Sequence, residues 1–106
     1  MNTPDRWVVL KIDFEGKTIY KVFGTWYGGH LGGNYWQLNS GIASLEVTDD
    51  SVLFHGNSGS QYLCYLPSYG LGSWGMSRLE YVIKSAEDGG AKVEVLPHTT
   101  YWRNLL

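Results

Sequence analysis

The sequence predicts an α+β fold: an antiparallel, strongly curved or barrel-like sheet of about six or seven strands with one helix at about residues 78–88. Three observations lead there. Apolar residues alternate at a period of two through most of the chain. Glycine, asparagine and aspartate punctuate that alternation at short intervals, as tight turns require. A helical period follows only after Pro67. Fourteen Gly, five Trp, eight Tyr and three Phe suit short strands joined by turns better than a helical bundle. At 106 residues the chain is expected to form a single domain, 1–106, that folds without metal or disulfide.

In Arg6–Phe14, Val8, Leu10, Ile12 and Phe14 share one face of a strand, and Trp7, Val9, Lys11 and Asp13 the other. Glu15-Gly16 reads as a two-residue turn into a second strand over 17–27. That turn pairs Ile12 with Ile19, Val8 with Phe23 and Val9 with Val22, and sets Lys21 beside Leu10. Strands follow at about 34–39, at 41–48 with a bulge near Ala43-Ser44, at 51–55 and at 60–66. The sequence Gly56-Asn57-Ser58-Gly59, taken as a turn, sets His55 opposite Ser60. Ser77-Arg78-Leu79-Glu80 matches a capping box, and Leu79, Val82, Ile83 and Ala86 make an apolar helical stripe. Gly89 is placed to end the helix in a left-handed conformation. A strand at 92–96 and a tail held by Tyr101, Trp102 and Leu105 complete the chain.

Charge argues against nucleic acid as a partner. The formal net charge is −2, and the eight Lys and Arg residues never form a run, whereas a nucleic-acid site needs concentrated positive charge. The single cysteine, Cys64, forms no internal pair, which suits a reducing compartment. No stretch approaches the ~18 apolar residues that span a bilayer, and no signal-like segment opens the chain. The expectation is a cytoplasmic protein without a membrane partner.

Thr25–Gly41, TWYGGHLGGNYWQLNSG, is the segment richest in candidate chemistry. A phosphate cradle would need a helix after the glycines, and Asn34-Tyr35-Trp36 favours none. The segment reads instead as a hairpin with a loop at 28–33, whose glycines supply positive φ, or as a binding loop with His30 and Leu31 at its tip. The hairpin register sets Trp26 opposite Tyr35, Thr25 opposite Trp36 and Phe23 opposite Leu38. Phe23, Leu38 and Trp36 fall on a core side, while Trp26, Tyr35, Tyr20 and Val22 line a side that one short helix cannot cover in addition. Exposed Trp and Tyr are the commonest interface anchors, because they bury large area at low entropic cost. The candidate binding residues are therefore Trp26, Tyr27, His30, Leu31 and Tyr35.

Other chemistry finds little footing. His30, His55, His98 and Cys64 fit no paired metal-ligand spacing. His55 and Cys64 lie on neighbouring strands, but about 13 Å apart at roughly 3.3 Å per residue, beyond the reach of a general base. Asp49-Asp50 and Glu87-Asp88 are sequence neighbours rather than an acid and base across a cleft. No catalytic set, metal or cofactor is expected.

WQLNSGI at Trp36–Ile42 and GNSGSxYxC at Gly56–Cys64 resemble a pattern in small bacteriophage accessory proteins without an assigned activity. The resemblance implies a protein that binds a host component and alters its behaviour, such as an inhibitor of a bacterial defence system of the CRISPR type. The expected function is non-enzymatic protein binding. The alternatives are a carbohydrate-binding module using the aromatics with Asn34, Gln37 and Asn39, or a small enzyme of unknown type. A homodimer is also expected, paired through terminal strands guarded by Arg6, Lys11, Lys92 or Glu94, with Trp26 or Trp102 near the contact.

Overall fold

The computed structural model describes residues 1–29 and 32–106. β1 (Arg6–Phe14) and β2 (Lys17–Trp26) form the expected hairpin. Glu15 and Gly16 both take positive φ, 50° and 77°, the backbone that a two-residue turn between twisted strands demands. The register follows: Ile12 pairs with Ile19, Leu10 with Lys21, Val9 with Val22 and Val8 with Phe23. β3 (Tyr35–Leu38) adds to β2 with Trp26 opposite Tyr35 and Phe23 opposite Leu38.

β4 (Ile42–Val47), β5 (Ser51–Gly56) and β6 (Gln61–Tyr65) follow, with the bulge lying between Ile42 and Ser44. The helix α1 spans Ser73–Asp88, and β7 (Lys92–Val95) returns to pair with β1. Among the described residues the strands form two antiparallel sheets, in the orders β3-β2-β1-β7 and β4-β5-β6. This corrects the expected single barrel-like sheet. The chain leaves the first sheet at Asn39, whose side-chain Oδ1 replaces a backbone carbonyl as acceptor for the Val22 N–H at 2.8 Å. Gly41 then takes φ +129°, and β4 starts in the other layer, where it pairs with β5 instead of extending β3.

The two faces of the first sheet pack on different layers. Trp7, Val9 and Val22 meet Val52, Phe54, Tyr62 and Cys64 of the second sheet, together with Leu96 and Trp102. Val8, Leu10 and Phe23 meet Leu79 of α1, flanked by Val82 and Ile83. Trp7 is the centre of the larger core. It is fully buried, its ring lies 4.7 Å from Tyr69, 5.4 Å from Trp102 and 5.6 Å from Phe54, and its Nε1–H donates to the Tyr65 carbonyl at 2.7 Å.

α1 begins about a turn and a half before the expected start. Its N-cap is Gly72, without a side-chain cap, and Ser77 donates back to the Trp74 carbonyl instead of forming the predicted capping box. Tertiary packing overrides the local signal. Gly75 is buried against β2, where an added Cβ would lie 3.1 Å from Thr25 Cγ2. A glycine inside a helix costs roughly 1 kcal/mol in propensity, and here it permits close contact with the sheet. At the other end Gly89 is the C-cap with φ −84°, and Gly90 takes the left-handed conformation at φ +98°. Ala91 N–H donates to Ala86 O and Gly90 N–H to Glu87 O, the reciprocal pair of a Schellman motif.

Two further expectations change. His55 opposes Gln61, not Ser60, because the loop holds three residues, 57–59, closed by Gly59 at φ +88°. β1, expected at an edge, lies inside its sheet: Arg6 donates from Nε to Gly70 O and from Nη2 to Tyr69 O, so it braces a loop instead of guarding an edge.

These contacts set the expected costs of substitution. Trp7→Ala should destabilise the fold by about 3–5 kcal/mol through the lost rings and the cavity left behind. Gly90→Ala should cost about 1 kcal/mol, because a Cβ disfavours the left-handed backbone. Tyr81, 71% exposed on α1, should tolerate Ala within about 0.5 kcal/mol. Urea denaturation of the three variants checks the order.

Candidate functional site

The free end of the β2–β3 hairpin brings most of the candidate residues into one region. Alternation along the strands then divides them between two faces. Trp26 and Tyr35 are cross-strand partners on the face toward the second sheet. Their rings stack in parallel, 5.0 Å between centroids and 1° between planes. Trp26 is half-buried, its outer edge near Tyr62 and the Pro4–Gly24 contact, and Tyr35 remains 45% exposed. Tyr27 falls on the opposite face, beside Trp74 of α1 at 6.3 Å. The Arg78 guanidinium covers Trp74 at 5.7 Å from the ring centroid.

Trp36 also lies on that second face. Its ring stacks on Phe23 at 5.3 Å, yet the residue is 37% exposed, so the expected core position holds for one side of the ring only. The sequence pairing located Trp36 correctly. The missing information was where α1 stops covering the sheet. Trp74 escaped the sequence reading because it preceded the predicted helix.

The backbone around these rings is held by hydrogen bonds from both flanks. Asp5 Oδ2 accepts from Tyr27 N–H at 2.8 Å, and Asn34 Oδ1 accepts from Gly28 N–H at 3.3 Å. Gly29 N–H donates to Gly33 O at 2.9 Å, and Gly32 N–H to Gly29 O at 2.7 Å. Gly28 and Gly32 take φ of 63° and 75°, the freedom the glycine pairs were expected to supply. His30 and Leu31, expected at the loop tip, lie outside the described residues. Among the described residues the glycines lead into the strand β3, where a phosphate cradle would lead into a helix.

The side-chain oxygens of the amides considered for sugar binding are already engaged. Asn39 is buried and accepts from Val22, Gln37 Oε1 accepts from the Tyr62 hydroxyl at 3.2 Å, and Asn34 accepts from Gly28.

Among the described residues Cys64 and His55 stand apart. Cys64 opposes Val52 on the inner face of the second sheet and is fully buried. His55 points to the outer face, where Nε2 lies 2.6 Å from Glu46 Oε2. The two are therefore separated by the sheet itself. Among the described residues no three His, Cys, Asp or Glu side chains converge as metal ligands would. A groove of about 510 Å³ lies toward the other end of β2, lined by Lys11, Thr18, Tyr20, Ile42, Asn57 and Leu105, and none of the candidate binding residues lines it. No described helix is long and apolar enough to cross a membrane.

Comparisons with protein-family models, curated proteins and solved structures return no match.

Burial makes the core alkali-sensitive. It raises the pKa of the Cys64 thiol, and it raises those of Tyr62 and Tyr69, whose hydroxyls also gain internal partners. Above the ordinary values of 9.0 for the thiol and 10.0 for the phenols, the unfolded chain releases protons that the folded chain retains. Stability therefore falls as pH rises, by up to about 1.4 kcal/mol per pH unit for each group. Urea midpoints should be flat below pH 8 and decline from about pH 9, with Cys64→Ala removing the earliest part of the decline. Native Cys64 should also react with thiol reagents at least about a hundredfold more slowly than the urea-unfolded chain.

Proposed function

We propose that this protein is a non-enzymatic binding protein that recognises another protein through the aromatic end of the β2–β3 hairpin. One observation carries the reading: the parallel stack of Tyr35 on Trp26, half open to solvent, on a backbone pinned at both flanks. Ordering long side chains is a principal cost of binding, and rings already stacked have largely met it. Tyr27, Trp36 and Trp74 give the opposite face of the hairpin the same aromatic character. A partner that grips the hairpin end would contact both sides, with His30 and Leu31 between them in sequence.

The chemistry around the hairpin favours a protein partner over a polyanion. Lys and Arg are few near it, and the formal charge of the chain is −2. The resemblance to small phage accessory proteins adds a biological setting: a cytoplasmic inhibitor of a host or defence component. A second copy of the chain is also a protein partner, and a homodimer belongs to the same reading. Trp102, also expected near a dimer contact, is 5% exposed and packs in the core.

The reading is tested by affinity capture from a bacterial lysate with wild type and the Trp26→Ala/Tyr35→Ala variant, both verified as folded by circular dichroism. The expected outcome is a partner retained by wild type and lost, by at least about tenfold in affinity, from the variant. Equal capture by both would remove the stacked pair from the interface.

A further inference from the structure

We propose that the outer edge of β3 is a strand-addition site whose occupant is a second copy of this chain, paired antiparallel about Gln37. The inference rests on the protein-contact reading above and names one partner and its contact.

The direction of the β3 backbone follows from the hydrogen bonds of the sheet. Asn39 N–H donates to Val22 O, so residue 39 turns inward to β2. Hydrogen-bonded and non-hydrogen-bonded pairs alternate in an antiparallel ladder. Residues 37 and 35 therefore also turn inward, to Gly24 and Trp26, and residues 36 and 38 turn outward. The far side of the sheet agrees: Leu96 N–H donates to Val9 O, which directs Val8 and Leu10 toward β2 and leaves Val22, Gly24 and Trp26 to face β3. Trp36 and Leu38 thus present their N–H and C=O groups to the open side of β3.

Exposed edges are normally blunted by charge, bulges or cover. Among the described residues three of the four sheet edges are. β7 carries Lys92 and Glu94, β4 carries Glu46 and the bulge at Ile42/Ser44, and β6 is covered by Asn2, which exchanges backbone hydrogen bonds with Gln61 and Leu63. β3 reads Tyr-Trp-Gln-Leu, with no charge, proline or bulge, and among the described residues no strand pairs with its outer side. It is also held in place: Asn34 ties its entry to Gly28 and Asn39 ties its exit to Val22. An ordered edge requires little further loss of chain entropy on pairing.

The occupant is a second copy because this edge complements itself. With a two-fold axis at Gln37, Trp36 lies opposite the partner's Leu38, and Leu38 opposite the partner's Trp36. Both are outward-directed residues, so each pair exchanges two backbone hydrogen bonds and the four-stranded sheet becomes continuous across the axis. The exposed side of Trp36 then packs on the partner's Leu38, an aromatic–aliphatic cross-strand pair formed twice. No charge lies on the strand to oppose a like charge at the axis. Gln37 meets its own copy in a non-hydrogen-bonded pair, with Cα atoms about 4.5 Å apart.

That last contact supplies the test. Gln37 is exposed, and its Oε1 accepts from the Tyr62 hydroxyl, so Gln37→Glu keeps an acceptor there, Gln37→Lys removes it, and circular dichroism verifies that both variants fold. Each sets like charges against each other across the axis, while a mixture sets Lys against Glu. Sedimentation velocity over a micromolar concentration series should show a two-chain mass for wild type. Each single variant should dissociate at least about tenfold more readily, and the equimolar mixture should recover the two-chain species. A one-chain mass for wild type throughout would overturn the proposal, leaving the edge to a foreign strand or to none. A dimer unaffected by either variant, or a mixture that fails to recover, would overturn the Gln37 axis. Trp26 and Tyr35 are intact in both variants, so failure here is distinguishable from failure of the capture experiment.

Discussion

The buried indole of Trp7 is the contact on which the arrangement of layers depends. It projects from the interior strand β1 into the space between the two sheets. There it touches Phe54 of the second sheet, Tyr69 of the connection to the helix and Trp102 of the C-terminal turn. Its single polar atom is satisfied by the Tyr65 carbonyl at the end of β6. One side chain thus joins segments far apart in sequence, which the short strands alone could not hold together. Tyr69 extends the same junction: its hydroxyl accepts from Val9 N–H and donates to Leu96 O, bridging β1 to the residue after β7.

The second constraint is the pair of Asn-Ser-Gly turns, at 39–41 and 57–59. Asn57 N–H donates to Gly41 O, and Ser58 N–H donates to the Ser40 hydroxyl. The first turn is the point where the chain passes between sheets, and the second closes the β5–β6 hairpin. Their contact fixes where β4 begins relative to β3. It therefore also keeps β3 from running on into the second sheet. The two turns repeat one Asn-Ser-Gly triplet, and in this fold the repeat forms a packing contact between loops.

The aromatic hairpin shows how far a register argument reaches. A loop taken at 28–33 and strict alternation were enough to pair Trp26 with Tyr35 and Thr25 with Trp36, because side-chain period and loop length are local properties. They also imply that Tyr27 stands on the face opposite Trp26, so the candidate residues surround the hairpin from two sides. How much of each ring remains open is a different kind of fact. It depends on where the helix and the second sheet stop, and Trp36, covered by Phe23 on one side only, records that limit.

The sequence by itself determined the strands, the first hairpin, the bulge in β4 and the glycine conformations of the hairpin loop. Each rests on alternation, steric limits on φ, or a turn of two residues, and all of these act between near neighbours in the chain. Tertiary structure alone decided that there are two sheets and not one curved sheet, since that depends on inner side chains as large as Trp7, Phe54 and Trp102 filling the space between layers. It also moved the helix start from the capping-box serine back to Ser73, because packing of Gly75 on Thr25 outweighed a local cap. It separated His55 from Cys64 by closing the β5–β6 loop with three residues in place of four, which shifts the register by one and places them on opposite faces. And it placed β1 inside its sheet and left β3 at the edge, a choice set by the return of β7 from beyond the helix. Contacts across such distances leave no periodic trace in a single sequence.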